Sequence, residues 1–470
     1  MQNFNSGNAI SPLDGRYRDK TEELSAIFSE KGLMKARLIV EIEYLIALIP
    51  FLGKEKVEPF SEEDENVLKD LYSNFSDSDF EEIKNIEKKT RHDVKSVEYF
   101  LRDKLSTIGL EKYANYVHLG RTSEDITNLA YALVLKYGTA VVLRYYENTF
   151  KLMDSIAIEH KDTPTIALTH GQPATASTIG WTMAVYSRRM QLIIENRLKM
   201  FCLSVKFNGA TGGNNAMYAA YPDLNWEEFS EILITNLEFV RFEKGISPDM
   251  VFDVNHVTFQ IEPHDTYKEL FEVLTSLNTI LIDFCQNMWM YISQEYFIQK
   301  PVKGEVGSSA MPQKINPIDF ENAEGNLILS NAMFEVFSRR LPISRFYRDL
   351  TDSTIERNFG VAYSYALIAL KSIARGLGRI SVNQAGLHQK LDEHWEIISE
   401  AYQVILRASG FENGYELLAK EVKGKEVTKE LLHNFVDTLE LSLNLNSDVV
   451  ERLKAVTPHN YLGNRNFDQM

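Results

Sequence analysis

Residues Asp125–His160 read DITNLAYALVLKYGTAVVLRYYENTFKLMDSIAIEH. Leu129, Leu133, Tyr137, Val141 and Leu143 are among apolar residues recurring at helical spacing, which predicts one long helix. Apolar residues also occupy most positions between these repeats, so this helix must be covered on nearly every face. The same period runs through Leu33–Phe51, Ser177–Val205, Glu269–Phe297, Phe320–Phe337 and Gly360–Ile373. Alternating runs of strand type are scarce. The predicted fold class is therefore all-α, with a long central helical bundle. Three helical domains are expected, over 1–117, 118–376 and 377–470, the last having shorter helical patterns. Helices this long and this apolar also predict that helices of partner subunits complete the core, giving a homo-oligomer.

Composition narrows the class. The chain has 470 residues, 44% hydrophobic and 25% charged, with a formal net charge of −16. These are values of a soluble globular protein, and exclude a disordered chain, a fibre or a disulfide-stapled mini-protein. The acidity predicts no nucleic-acid partner and no anionic membrane surface. Leu38–Leu52 is apolar but interrupted by Glu41 and Glu43, and too short to span a bilayer. Met1–Asn8 is polar and lacks the apolar core of a secretory signal. Cys202 and Cys285 both fall in helix-like apolar segments and read as buried small hydrophobes of a reducing compartment. A cytoplasmic location is the expectation.

Common cofactor chemistries find no support. Gly53-Lys54 and Gly424-Lys425 are each followed by Glu, so no phosphate-binding P-loop is present. No GxGxxG, HExxH or GxSxG occurs, and the ten histidines lack metal-ligand spacing. Neither a cofactor nor a metal is expected. Chemistry is instead concentrated where the helical pattern breaks: Ser11–Tyr17, Thr90–Asp93, His118–Ser123, Thr163–Thr175, Phe207–Asn215, Ser247–Asp265, Lys300–Pro317 and Pro342–Thr354. Residues 304–317 read GEVGSSAMPQKINP. Two glycines and two prolines exclude a regular helix there. Hydroxyls (Ser308, Ser309), a cation (Lys314), an amide (Asn316) and backbone N–H groups on a mobile loop suit carboxylate binding and lid closure.

That segment resembles the signature of the fumarase/aspartase superfamily, all-helical homotetrameric lyases that release fumarate by β-elimination. Other segments single out one branch: SPLDGRY at Ser11–Tyr17, TRHD at Thr90–Asp93, HLGRTSED at His118–Asp125, THGQPAT at Thr169–Thr175, QIEPHD at Gln260–Asp265 and RDLTDSTIERN at Arg348–Asn358. Together they resemble the adenylosuccinate lyase family in its bacterial form, to about residue 465. The departures are Gln313 where the family usually has His, Ala310 where Thr is common, Arg91 where Asn is frequent, and Arg121 at a loop position usually not basic. Gln313 is what argininosuccinate lyases tend to show, which makes that family the alternative. Its substrate carries no phosphate.

The resemblance implies fumarate release from adenylosuccinate, giving AMP, and from the succinyl-carboxamide ribotide SAICAR, giving AICAR. It implies Ser308 as general base and His170 as general acid to the leaving nitrogen. Ser309, Lys314 and Asn316 would bind succinyl carboxylates. So would Thr122 and Ser123, at a helix N-terminus beginning there. Arg16 and Tyr17 would contact phosphate and ribose, and Arg348, Ser353, Thr354 and Arg357 the nucleotide and its phosphate. Arg91, His92 and Asp93 would line the nucleotide pocket, and Gln260 and Asn322 would hydrogen-bond substrate. His118 and His264 are expected either to support the site, orienting His170, or to be polar core residues; Glu262 would pair with a catalytic histidine. In such lyases each site is built from three subunits. The substrate would carry about −4, roughly −2 of it from phosphate, so Arg16, Arg91, Lys314, Arg348 and Arg357 would have to converge against the global charge.

Overall fold

The computed structural model describes residues 6–301, 304, 311 and 313–465. Helices dominate, with the long ones at Glu30–Leu52, Ser123–Glu159, Asp265–Ser293, Ile318–Arg340 and Phe359–Gly378. The all-α reading holds. The described residues also form short two-stranded ladders: Pro164–Thr169 with Gln172–Thr178, Cys202–Val205 with Val251–Val254, and Phe297–Gln299 with Ile380–Val382.

The chain divides into two compact units. One comprises 1–147, 192–282 and 323–371; the other comprises 148–191, 283–322 and 372–470. In the first, Glu30–Leu52 is buried almost throughout its second half, Leu38 to Ile49 being without an exposed side chain. Phe51 meets Trp226 and Phe229 of the Trp226–Glu238 helix at 5.6 and 5.1 Å between rings. A buried polar chain crosses four helices of this unit. Tyr146 Oη donates to Asn278 Oδ1 (2.5 Å), Asn278 Nδ2 to Ser330 Oγ (3.1 Å), and Ser330 Oγ to the Ala362 carbonyl (2.9 Å). Each polar group is satisfied, so the chain fixes helix register without leaving a desolvated donor. In the second unit, Ile166 and Ala176 of the first hairpin sit in an apolar core with Trp395, Tyr402, Leu406 and Val436.

Two expectations are corrected. The apolar run Ser177–Val205 is not one helix: Ile179–Ile193 ends in a π-turn, Ile194–Leu198, and Cys202–Val205 is a strand paired in parallel with Val251–Val254. A short apolar run has the same composition in either state, and tertiary pairing decides. Cys202 on that strand is exposed, whereas Cys285 is buried. The argument from over-apolar helices also changes. Ser123–Glu159 is long and apolar enough to cross a membrane, yet 94% of its most apolar stretch is buried within the chain. Near its end Ile158 is exposed, and other exposed apolar side chains include Ile328, Leu329 and Val336 on Ile318–Arg340 and Trp289 and Met290 on Asp265–Ser293.

Candidate active site

The site is built on the start of the Ser123–Glu159 helix. Asp125, fully buried, accepts the Thr122 N–H at 3.0 Å and thereby caps its own helix. Its other oxygen accepts the N–H groups of Asn208 and Gly209 (3.2 and 3.1 Å) and pairs with buried Lys206 at 2.9 Å. Burial works against the Asp125 carboxylate, but Lys206 and Arg121 outweigh it and hold the group below the usual range. Lys206 Nζ also donates to the carbonyls of Gly209 (2.9 Å) and Gln260 (2.7 Å). One buried ion pair thus ties together the Thr122–Ser123 turn, the 206–209 loop and Gln260. Arg121 adds a second tie: its guanidinium lies 4.4–5.8 Å from the ring centroids of Phe207, Tyr44, Phe229 and Trp226 and donates to Asn214 Oδ1 at 2.8 Å.

Above this turn opens a cavity of about 690 Å³ in the first unit. Arg91, His92, Asp93, Thr122, Ser123, Gln260, Arg348, Ser353, Thr354 and Arg357 all line it. Four arginines (Arg37, Arg91, Arg348, Arg357) face two aspartates (Asp93, Asp349), so the cavity is locally cationic in a chain of net charge −16. Arg348 is held by Glu124 at 2.8 Å and approaches Gln260 Oε1 at 3.5 Å. Asp93 pairs with Arg37 at 2.9 Å and Arg357 at 3.5 Å. Burial opposes the Asp93 charge, and Arg37, the Val94 N–H and Arg357 prevail, keeping its carboxyl below the ordinary range. Arg91, in the cavity lining, closes the Asp77–Thr90 helix in the left-handed region at φ 53°; His118 and His264 have φ 59° and 62°.

Arg37, Thr127 and Tyr131 also line the cavity. Their signal in the sequence is faint; for Arg37 it is an arginine inside the apolar run Leu33–Phe51, where an unpaired charge is not tolerated. Arg16 and Tyr17 do not line the cavity. Arg16 is exposed and lies 5.9 Å from the Tyr17 ring. His118 pairs with buried Glu41 at 2.6 Å. Burial disfavours its charged form, but Glu41, Glu98 and Asp125 raise it above the usual histidine range. Glu262 accepts the His264 backbone N–H at 2.6 Å and Asn255 Nδ2 at 3.2 Å, within its own loop.

The remaining candidates belong to the second unit. His170 and Gly171, at φ 54° and 73°, form the two-residue turn between Pro164–Thr169 and Gln172–Thr178. The base of this hairpin is buried and its tip, with His170, is exposed. Lys314 is exposed, its N–H bonded to the Met311 carbonyl at 3.0 Å. Asn322 Oδ1 accepts from Ser372 Oγ at 2.9 Å, and Asn316 is half-buried. Ser308 and Ser309 lie outside the described residues.

Comparison with known proteins decides the family. A Lyase family model matches residues 15–333, and the model described as adenylosuccinate lyase C-terminal matches 344–462. An adenylosuccinate lyase of Escherichia coli K12 is 44% identical over 457 residues, covering 97% of this chain and 96% of its own length. The chain belongs to the adenylosuccinate lyase family. The Vibrio cholerae family member is 43% identical over 97% of the chain and 96% of its own, and that of Dictyostelium discoideum 42% over 98% and 97%. The C-terminal match favours adenylosuccinate lyase over the argininosuccinate alternative raised by Gln313. Solved structures share the fold: a fumarate lyase of Mesorhizobium sp. BNC1 (TM-score 0.70, 18% identity, 95% of each chain) and a 3-carboxy-cis,cis-muconate lactonizing enzyme of Pseudomonas putida (0.69, 18%, 94% of each).

Proposed function

We propose that the chain releases fumarate from adenylosuccinate, giving AMP, and from SAICAR, giving AICAR. The observation that carries this reading is the cationic cavity, whose four arginines and helix N-terminus suit a dianionic phosphate and carboxylates. In the reaction a proton leaves the carbon beside one succinyl carboxylate and passes to Ser308 acting as base. The electron pair forms the C=C bond of fumarate, the C–N bond breaks, and His170 protonates the departing nitrogen. Negative charge builds on the neighbouring carboxylate in between, where Lys314, Asn316, Ser309, the Thr122 and Ser123 hydroxyls and the Ser123 N–H would stabilise it. Arg348, Arg357, Ser353 and Thr354, with Arg16 and Tyr17, would hold the phosphate and ribose. Arg91, His92 and Asp93 would line the nucleotide pocket, and Gln260 and Asn322 would bond substrate. Proton transfers and side-chain charges suffice, so no cofactor or metal is invoked.

A homotetramer with composite sites is part of the proposal. The exposed apolar row Ile328, Leu329 and Val336 supports it. The division into 1–117, 118–376 and 377–470 and a cytoplasmic location belong to the same reading. The net charge of −16 supports a nucleotide, not a nucleic acid, as the partner. The test is fumarate release measured with adenylosuccinate, SAICAR and argininosuccinate: release from the two purine substrates is expected, and release from argininosuccinate alone would overturn the assignment.

A further inference from the structure

Behind the cavity wall, four carboxylates are buried in one neighbourhood of the first unit: Glu124, Glu262, Asp352 and Glu356, each at most 5% exposed. Two cationic side chains oppose them, Arg348 and the fully buried His264. Unbalanced charge in such a setting is relieved most cheaply by holding a proton. Two of the four carboxylates already accept hydrogen bonds, and a third is ion-paired. Glu262 takes the His264 and Asn255 N–H groups, Asp352 takes the Ser353 N–H at 2.7 Å, and Glu356 stands 3.5 Å from His264 Nε2. Glu124 is engaged by the Arg348 guanidinium, 2.8 Å away. Arg348 in turn is the member of the cluster that reaches the cavity.

We propose that Glu124 is a positioning residue whose carboxyl sets how much of the Arg348 charge is offered to an anion in the cavity. As a neutral acid it accepts the guanidinium hydrogen bond and leaves the positive charge uncompensated toward the ligand. As a carboxylate it neutralises Arg348, and anion binding weakens. The inference rests on reading the cavity as the nucleotide site.

The electrostatics agree. Burial above all, then Glu356 and Asp352, push the Glu124 carboxyl up to about 8, against the pull of Arg348 and His264. His264 is itself raised to about 9: burial opposes its charge, and Glu356, Glu262 and Glu124 outweigh it. The other titratable groups of the neighbourhood, Tyr267 and Tyr131, are driven by burial well above the usual phenol range and stay neutral. Arg37, Asp93 and Arg357 are the charges around Tyr131, together with Glu356.

The experiment measures KM for adenylosuccinate against pH with the full-length chain. In the wild type, KM rises about tenfold from pH 7 to pH 9, as the population with a neutral Glu124 falls. In Glu124→Gln, whose amide cannot ionise, the rise disappears. In His264→Gln, loss of a positive neighbour raises Glu124 further, so the rise moves to higher pH; a purely structural role for either residue would not displace the profile in this direction. A flat wild-type profile, or the same rise retained in Glu124→Gln, overturns the proposal. Infrared spectroscopy of the ligand-free chain decides it independently of the substrate. A protonated carboxylic-acid C=O band is expected at pH 7, lost by pH 9.5, and its absence at pH 7 refutes the inference. Should Glu124→Gln fail to fold, the wild-type band and the His264→Gln shift still decide. Absence of any turnover of adenylosuccinate would sink the functional reading alone.

Discussion

The wall of the cavity and the tip of the His170 hairpin are built on opposite plans. Around the cavity, charged side chains are fixed by partners: Asp125 by Lys206, Arg348 by Glu124, Asp93 by Arg37. The Asp125–Lys206 pair is fully buried and costly to desolvate, and is worth more as a means of holding a geometry than as a source of stability. At the hairpin the rigid part is apolar, with Ile166 and Ala176 in a core, and the polar residue is carried out to an exposed turn. A binding site gains from preorganisation, because every side chain already in place lowers the entropy lost when the ligand arrives. A group that must reach a reacting atom is better carried on a short, stiff projection.

The comparison predicts different kinetic signatures for the two regions. Ser308→Ala should have the largest effect, lowering kcat by about 10²–10⁴-fold while leaving substrate binding nearly intact, since binding belongs to the arginine wall. His170→Asn should act in the same way and remove one limb of the pH–kcat profile. Full activity in Ser308→Ala would refute its role as base. Arg348→Met should do the reverse. Loss of a charge-assisted contact of about 1.5–3 kcal/mol should raise KM by about 10- to 100-fold, with the smaller change in kcat. If Arg348→Met reduced kcat alone, the contrast between the two regions would fail.

How much of this was legible in the sequence follows from the same contrast. The long helices could be read because apolar period survives in any context, and the cavity residues because loops between such helices collect Arg, His, Thr and Ser. The pairs that hold the wall were not. Arg37 and Asp93 are far apart in sequence, and so are Lys206 and Asp125, and nothing in spacing foretells a contact made by tertiary packing. The hairpin was hidden for another reason. Its strands, PTIALT and QPATAST, are short and polar at one end, so they read as a loop, and only the turn at His170-Gly171 brings them together. The Cys202–Val205 strand was masked by the helical run before it.

Asp93 gives a test of the wall that needs no substrate. Its carboxyl is held below the usual range in the fold. The stabilisation is therefore present above the unfolded value near 3.8 and is lost as pH falls through the lower, folded value. Asp93→Asn removes this dependence and leaves the buried Arg37 without its partner. The variant should be less stable than the wild type at pH 7 in urea unfolding, and the gap between them should narrow toward pH 3. A gap of constant size would mean that the Arg37–Asp93 pair contributes no electrostatic stability.

The smallest predicted effects come from one methyl group added to either region. Gly120 and Gly171 both have positive φ, 66° and 73°, so alanine incurs the left-handed backbone cost of at least about 1 kcal/mol at each. Their surroundings differ. At Gly120, in the turn leading to Thr122, a Cβ would collide with Sδ of Met217, itself buried. At Gly171 it would meet open space. Gly120→Ala should therefore lower stability by more than the backbone cost, because the buried Met217 side chain must repack, and KM should rise to the extent that the Thr122–Ser123 turn gives way with it. Gly171→Ala should cost only about 1 kcal/mol and leave KM unchanged. Its small loss of kcat should come from His170, whose own φ of 54° depends on the same turn. Thermal melts and kcat and KM of the two variants, measured side by side, separate the plans: equal losses in both would mean that the wall is no more rigid than the hairpin tip.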